Sequence, residues 1–198
     1  MDKDSGVLRI SICKLSPPGR RLTGAAIGEG HAQQLRGLVN NDQPAEAALV
    51  LLDFRGVESA SASYLKRLLN PFFAAAGSPD GFSQDVFPVA VNVGSSDLKE
   101  DLEDYLCGKG RVLIVGRLVN GRPEFECLLG CLDGAAAETF NELRELGETT
   151  AAELFERHEK RTTNQTAWNN RLAQLLELRI ARRRREGRLW IYQPAVTN

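Results

Sequence analysis

The stretch Ala47–Leu52 is an almost unbroken apolar run, and it ends at Asp53. A strand with one wet face alternates polar and apolar residues. A run like this one fits instead a strand covered on both faces, as in a parallel sheet flanked by helices. The neighbouring segments extend the pattern. Val7–Cys13 alternates, with Leu8, Ile10 and Ile12 on one face, and predicts a strand that Pro17-Pro18-Gly19 breaks. Thr23–Val39 suits a helix, weakened by Gly24, Gly28 and Gly30. Ser61 or Ala62 opens the next helix, whose apolar stripe is Tyr64, Leu65, Leu68, Leu69 and Phe72. After a loop at Gly77–Gly81 come a strand over Val86–Val93, an amphipathic helix over Asp97–Cys107 and a strand over Arg111–Val119. Asn120-Gly121 marks a tight hairpin into Pro123–Leu129, where the proline predicts an edge position. Strands alternating with helices predict an α/β domain with a mostly parallel or mixed sheet and flanking helices.

The grammar changes after Leu132. Helical stripes follow over Ala135–Leu146, Ala151–His158 and about Asn164–Leu178, and then a short hairpin, so two domains are predicted, residues 1–131 and 132–198. Thr150-x-x-Glu153 is a capping-box pattern that would start the second of these helices. Charge divides in the same way. Between Arg157 and Tyr192 stand ten basic and three acidic residues, a local charge of +7, whereas residues 1–156 hold fifteen basic and twenty-three acidic ones, or -8. A chain polarised like this is expected to meet a polyanion with its basic end.

The long third helix supplies the other half of such a site. With Trp168, Leu172, Leu175 and Leu176 inward, Thr166, Asn170, Ala173, Gln174 and Glu177 point outward, with Asn169 and Arg171 on the flanks. Amides and a hydroxyl near a helix N-terminus suit base edges, so Gln165, Thr166, Asn169 and Asn170 are the candidate base readers. The candidate phosphate contacts are Arg171, Arg182, Arg183, Arg184, Arg185 and Arg188. A turn at Glu186-Gly187 would place Ile180 with Leu189 and Ile191, and Arg183, Arg185 and Arg188 beside Trp190 and Tyr192.

The order of helix, helix, long helix and basic hairpin over Asp133–Pro194 resembles the winged helix-turn-helix family of bacterial regulators. The stretch Thr149–Arg157, then Gln165-Thr166, then the arginine-rich hairpin carry the likeness. It implies a small α+β domain that binds double-stranded DNA. It also admits a homodimer, although no dimerisation helix stands out. The turn Glu159–Thr163 departs from the family in lacking its usual glycine.

A second resemblance covers Val7–Val119. The stretch Leu49–Leu65, with Asp53-Phe-Arg-Gly-Val57 and a serine opening the following helix, resembles the STAS superfamily of anti-anti-sigma factors, and its bacterial STAS-like branch above all. Arg20-Arg21-Leu-Thr-Gly24 also looks like the sequence before the first helix of that group. The resemblance implies a protein partner, such as a histidine-kinase-like ATPase, and a phospho-switch serine at Ser63, with Ser61 beside it. Read from the residues alone, either serine fits a helix cap.

No catalytic constellation accompanies these features. His31 and His158 are the only histidines, and His158 falls at a helix end. Cys127-x-x-x-Cys131 finds no second pair for zinc. All four cysteines, Cys13, Cys107, Cys127 and Cys131, are expected to be reduced, buried thiols. Gly24-x-x-x-Gly28-x-Gly30 lacks the lysine and serine of a phosphate-binding loop, and Asp53 has no partner base, so it is read as structural. No enzyme, cofactor or metal is expected. Met1–Gly6 carries no apolar signal core and no run spans a bilayer, so a cytoplasmic protein without a membrane partner is expected. The two readings carried forward are a DNA-binding regulator and an adaptor working by protein contacts alone.

Overall fold

The structure, a computed structural model, describes residues 6–42, 48–78, 81–82, 85–158 and 164–197. The chain divides into two compact units, Met1–Cys131 and Leu132–Asn198.

The first unit is mixed α/β. Strands β1 (Val7–Ser11), β3 (Ala48–Asp53), β5 (Val86–Val91) and β6 (Val112–Val119) run parallel, and β7 (Arg122–Gly130) closes the edge antiparallel to β6, in the order β1-β3-β5-β6-β7. Three helices carry the crossovers: α1 (Ala25–Asp42), α2 (Ala62–Ala76) and α3 (Ser96–Cys107). The apolar run behaves as its composition demands, since Val50, Leu51 and Leu52 are all fully buried. Val50, Leu52, Ala90, Leu113 and Val115 form one core with Leu35 of α1, the α2 stripe, and Leu98, Leu102 and Leu106 of α3. Leu51, Val89 and Ile114, on the alternate side of the pleat, are buried as well. Asn120 and Gly121 both take positive φ, 50° and 80°, the backbone that a two-residue hairpin matching sheet twist requires.

Several local expectations shift. The first strand ends at Ser11, and Ile12–Lys14 form a single 3-10 turn instead. A small parallel pair, β2 (Arg21–Leu22) with β4 (Ser59–Ala60), joins two segments that carry no strand pattern. Gly28 has a packing reason: a β-carbon there would sit 2.6 Å from the Tyr64 carbonyl, so the glycine lets α1 approach α2. The cysteines need a larger correction. Cys107 and Cys131 form a disulfide, with Cα atoms 4.8 Å apart, while Cys13 and Cys127 are free and half-buried. Cys107 ends α3 and Cys131 follows β7, and α3 packs against β7, so the two sulfurs meet across 24 residues of chain.

The second unit has three helices, α4 (Gly134–Leu146), α5 (Ala151–Arg157) and α6 (Gln165–Glu177), and an antiparallel hairpin of β8 (Ala181–Glu186) and β9 (Leu189–Pro194). Helix α6 packs on α4 and α5. Phe140, Leu143, Leu154, Trp168, Leu172, Leu175 and Ile180 are its large buried side chains, with Tyr192 of the hairpin. Each helix has a side-chain cap: Asp133, Thr150 and Asn164 accept from Ala136, Glu153 and Ala167. The Thr150–Glu153 box is complete, with the Thr150 backbone N–H donating to Glu153 at 2.7 Å. Just before α5, Thr149 bridges Tyr192 with hydrogen bonds of 3.0 and 2.8 Å, giving β9 a neighbour on each side. Among the described residues no helix is long and apolar enough to cross a membrane.

Candidate nucleic-acid interface

The first turn of α6 presents polar groups outward. Gln165, Thr166, Asn169 and Asn170 are all exposed, because Trp168, Leu172 and Leu175 take the buried side. Gln174, one turn after Asn170, is half-exposed. It donates to the Asp133 carboxylate at 2.8 Å and so ties α6 to the start of α4. Arg171 is half-buried, its guanidinium 5.0 Å from the Trp168 ring centroid. The turn Glu159–Thr163, which leads into α6, lies outside the described residues.

The hairpin carries the remaining arginines. Its turn is Gly187-Arg188, one residue later than expected, with Glu186 opposite Leu189. Arg183 and Arg185 share a face with Tyr192 and Trp190, as the alternation predicts, but Arg188 sits in the turn and not beside them. The opposite strip is not the core side. Leu189 is 59% exposed, whereas Ala181, Tyr192 and Pro194 are buried on the Arg183 face and Ile180 is buried just ahead of β8.

The five hairpin guanidinium groups are not equivalent. Arg184 is held by two carboxylates, Glu186 at 2.6 Å and Glu148 at 3.2 Å, and Gln193 donates to the same Glu148 at 3.3 Å. Those hydrogen bonds stabilise its charged form and raise its pKa. Arg182, Arg183, Arg185 and Arg188 are exposed and form no ion pair with a described carboxylate. Arg183 lies 4.1 Å from the centroid of the exposed Trp190 ring. Glu142 faces inward instead, 3.4 Å from Arg157 and 3.2 Å from His158, whose ring stacks on Trp168 at 5.3 Å. His158 is the C-cap residue of α5.

In the first unit the two serines separate. Ser61 is the N-cap of α2, accepting from Tyr64 N at 3.3 Å, and its hydroxyl lies 3.1 Å from that of Ser63, which is exposed on the first turn. Asp53 is saturated. Arg9 donates to one oxygen at 3.0 and 2.6 Å, and the Arg55 backbone and Asn92 amide donate to the other at 3.0 and 2.7 Å. Burial alone would raise this carboxyl, but those donors outweigh it and hold its pKa below the usual aspartate range. His31 is fully buried. Its Nε2–H donates to the Pro17 carbonyl at 3.0 Å and its Nδ1 lies 2.8 Å from the Tyr64 hydroxyl, which anchors the loop before α1. Burial pushes the Tyr64 phenol well above its ordinary range, and Tyr105, which donates to Asn70, up to about 12.

One feature had no counterpart in the sequence reading: an open cavity of about 570 Å³ beyond the carboxyl ends of β3 and β5. Phe54, Arg55, Asn92, Ser95, Arg117 and Glu126 are among its lining residues. Phe54, Arg55, Asn92 and Ser95 follow the buried strands β3 and β5, which is the signal that could have found it. Cations and carboxylates alternate around it, and Arg20 and Arg117 are already paired with Glu58 at 2.9 Å and Glu124 at 3.3 Å.

Compared with known proteins, the chain matches no family model, no curated protein and no solved structure.

Proposed function

We propose that the second unit is a winged helix that binds double-stranded DNA, and that the chain is a bacterial regulator whose STAS-like first unit receives a protein partner or signal. The observation that carries this reading is the set of four exposed hairpin arginines, Arg182, Arg183, Arg185 and Arg188, without an ion-pair partner among the described residues. Guanidinium groups left without carboxylates on one short hairpin suit a row of phosphates. The Thr149–Tyr192 bridge supports the fold part of the reading, since a short strand between the first two helices that pairs with the hairpin fits a winged helix. In this reading α6 enters the major groove. Gln165, Thr166, Asn169 and Asn170 meet base edges, and Arg171 and the hairpin meet the backbone. Arg184 contributes least, because Glu148 and Glu186 neutralise it. Ser63 is the candidate switch in the first unit, where a phosphate would add about -2 charge at the first turn of α2.

The test is selection from a random duplex pool with the full chain, followed by a salt titration on the winning sequence. Five phosphate contacts, from Arg171 and the four unpaired hairpin arginines, give a log-log slope of about -4.5. Gln165→Ala or Asn169→Ala relaxes the choice at single base positions by about 1–3 kcal/mol each. Absence of duplex binding at low salt overturns the reading.

The exposed Leu189, opposite Glu186 and on the same hairpin face as Arg184, favours a second reading, in which the unit docks protein and the chain is an adaptor, for instance to a histidine-kinase-like ATPase. Partner capture that survives nuclease, together with no DNA shift, is its signature.

A further inference from the structure

The hairpin carries an aromatic group that phosphate binding alone leaves unused. Trp190 is 42% exposed. It is also held in place: Arg183 lies 4.1 Å and Arg185 5.9 Å from its ring centroid. Arg185 is its cross-strand partner and Arg183 its diagonal neighbour, so strand register brings both cations to the ring. Arg185 is tethered in turn, donating Nε–H to the Gly187 carbonyl at 3.2 Å. The other indole, Trp168, is buried in the core at 3% exposure, so the two tryptophans do different work.

A phosphodiester can use these guanidinium groups, but it gains nothing from an indole. A nucleobase joined to its phosphate uses both, with the flat base stacking on the ring while the phosphate meets the arginines. Within an intact duplex each base face is covered by its neighbour. Faces become available where the strand is unpaired. We infer that the β8–β9 hairpin is a stacking site for an unpaired base, and that the chain prefers duplex DNA with a single-stranded extension over a blunt duplex. The inference rests on the duplex-binding reading and specifies the form of DNA that the hairpin takes.

The experiment is fluorescence anisotropy with the full chain on a blunt duplex and on the same duplex carrying a short thymidine overhang. The intrinsic indole emission is recorded in parallel. The overhang is expected to tighten binding about tenfold, the scale of one stacked base, and to quench emission. Trp190→Ala removes the preference while blunt-duplex affinity stays within about threefold, the scale of one lost exposed arginine–indole contact. Trp190→Phe keeps the preference but loses the quench, because only the buried Trp168 remains to emit. Equal affinity and equal emission on the two DNAs in the native chain overturn the stacking site and leave duplex binding standing. So does Trp190→Ala weakening both DNAs alike. Binding to neither DNA overturns the stacking site and the duplex reading together.

Discussion

The first unit ties four of its arginines to carboxylates. Arg9 neutralises Asp53 at 2.6 Å, Arg20 and Arg21 share Glu58 at 2.9 and 3.2 Å, and Arg117 meets Glu124 at 3.3 Å. In the hairpin of the second unit, Arg184 alone is handled that way, and the arginines on either side of it are left without carboxylates among the described residues. The same side chain therefore does opposite work in the two places. An arginine beside a carboxylate has already exchanged its hydration for a partner and offers little to a ligand. A row of exposed, like-charged arginines repels itself and is relieved by an incoming polyanion. The first unit also has exposed arginines without an ion pair among the described residues, Arg36, Arg55, Arg67 and Arg122, but on four separate segments, so the contrast is one of concentration, and it supports the proposed role of the hairpin.

The double variant Arg183→Ala, Arg185→Ala strikes the contrast hardest. Duplex affinity at low salt is expected to fall about a hundredfold, roughly tenfold for each charged hydrogen-bond donor removed. The salt slope is expected to shrink by about two units, while denaturant stability changes by no more than about 1 kcal/mol, since both side chains are exposed. If affinity held while stability collapsed, these arginines would be structural, like those of the first unit.

Asp53→Ala applies the converse strike. It removes the acceptor of the Arg9, Arg55 and Asn92 donors and is expected to cost the first unit about 2 kcal/mol, measured by urea unfolding, with DNA affinity unchanged. The pH dependence follows from the lowered pKa of Asp53. As the pH falls through the ordinary aspartate value of about 3.9, the unfolded chain takes up its proton first. The stability Asp53 contributes is thus complete above that value and is lost on approach to the lower folded pKa. Asp53→Asn should flatten this acid limb.

What could be read from the sequence divides along range. Short-range rules carried far: the run Val50–Leu52 is buried, Asn120-Gly121 makes its turn, and the Thr150–Glu153 box is formed. Alternation placed Arg183 and Arg185 on the Trp190 face, and helical spacing placed Gln165, Thr166, Asn169 and Asn170 on the outside of α6. The misses depend on partners far apart in the chain. The disulfide joins residues 24 apart that meet only when α3 lies against β7. The β2–β4 pair is two residues long on each side and has no pattern to read. Glu148 reaches Arg184 across 36 residues, so nothing in the local charge run separates Arg184 from its neighbours. The buried face of the hairpin was equally hidden, because the covered side is Ala181, Tyr192 and Pro194, not the more apolar strip of Leu189 and Ile191.

A cap tests whether the second unit depends on local bonds more than on ion pairs. Thr150→Ala removes the acceptor for Glu153 N and leaves half of the box, for an expected loss of about 1 kcal/mol in thermal or urea unfolding of that unit. DNA affinity measured below the melting range should not move. A loss several times larger would mean that the Thr149–Tyr192 bridge goes with the cap.

The smallest expected effect separates the two kinds of arginine most finely. Glu148 accepts from Arg184 at 3.2 Å and from Gln193 at 3.3 Å, and it is itself exposed. Glu148→Gln leaves the shape nearly intact and removes one negative charge from the hairpin's flank. If the hairpin lies along phosphates, affinity for duplex should rise about threefold and the salt slope should steepen by a fraction of a unit, as one repelling carboxylate leaves the flank and Arg184 keeps only Glu186. Arg184→Ala in the native background should change little, because that guanidinium is already occupied by Glu186 at 2.6 Å. The reverse order, with Arg184→Ala severe and Glu148→Gln silent, would mean that the paired arginine binds and the unpaired ones do not. The distinction drawn between the two units would then fail at the one residue where both conditions meet.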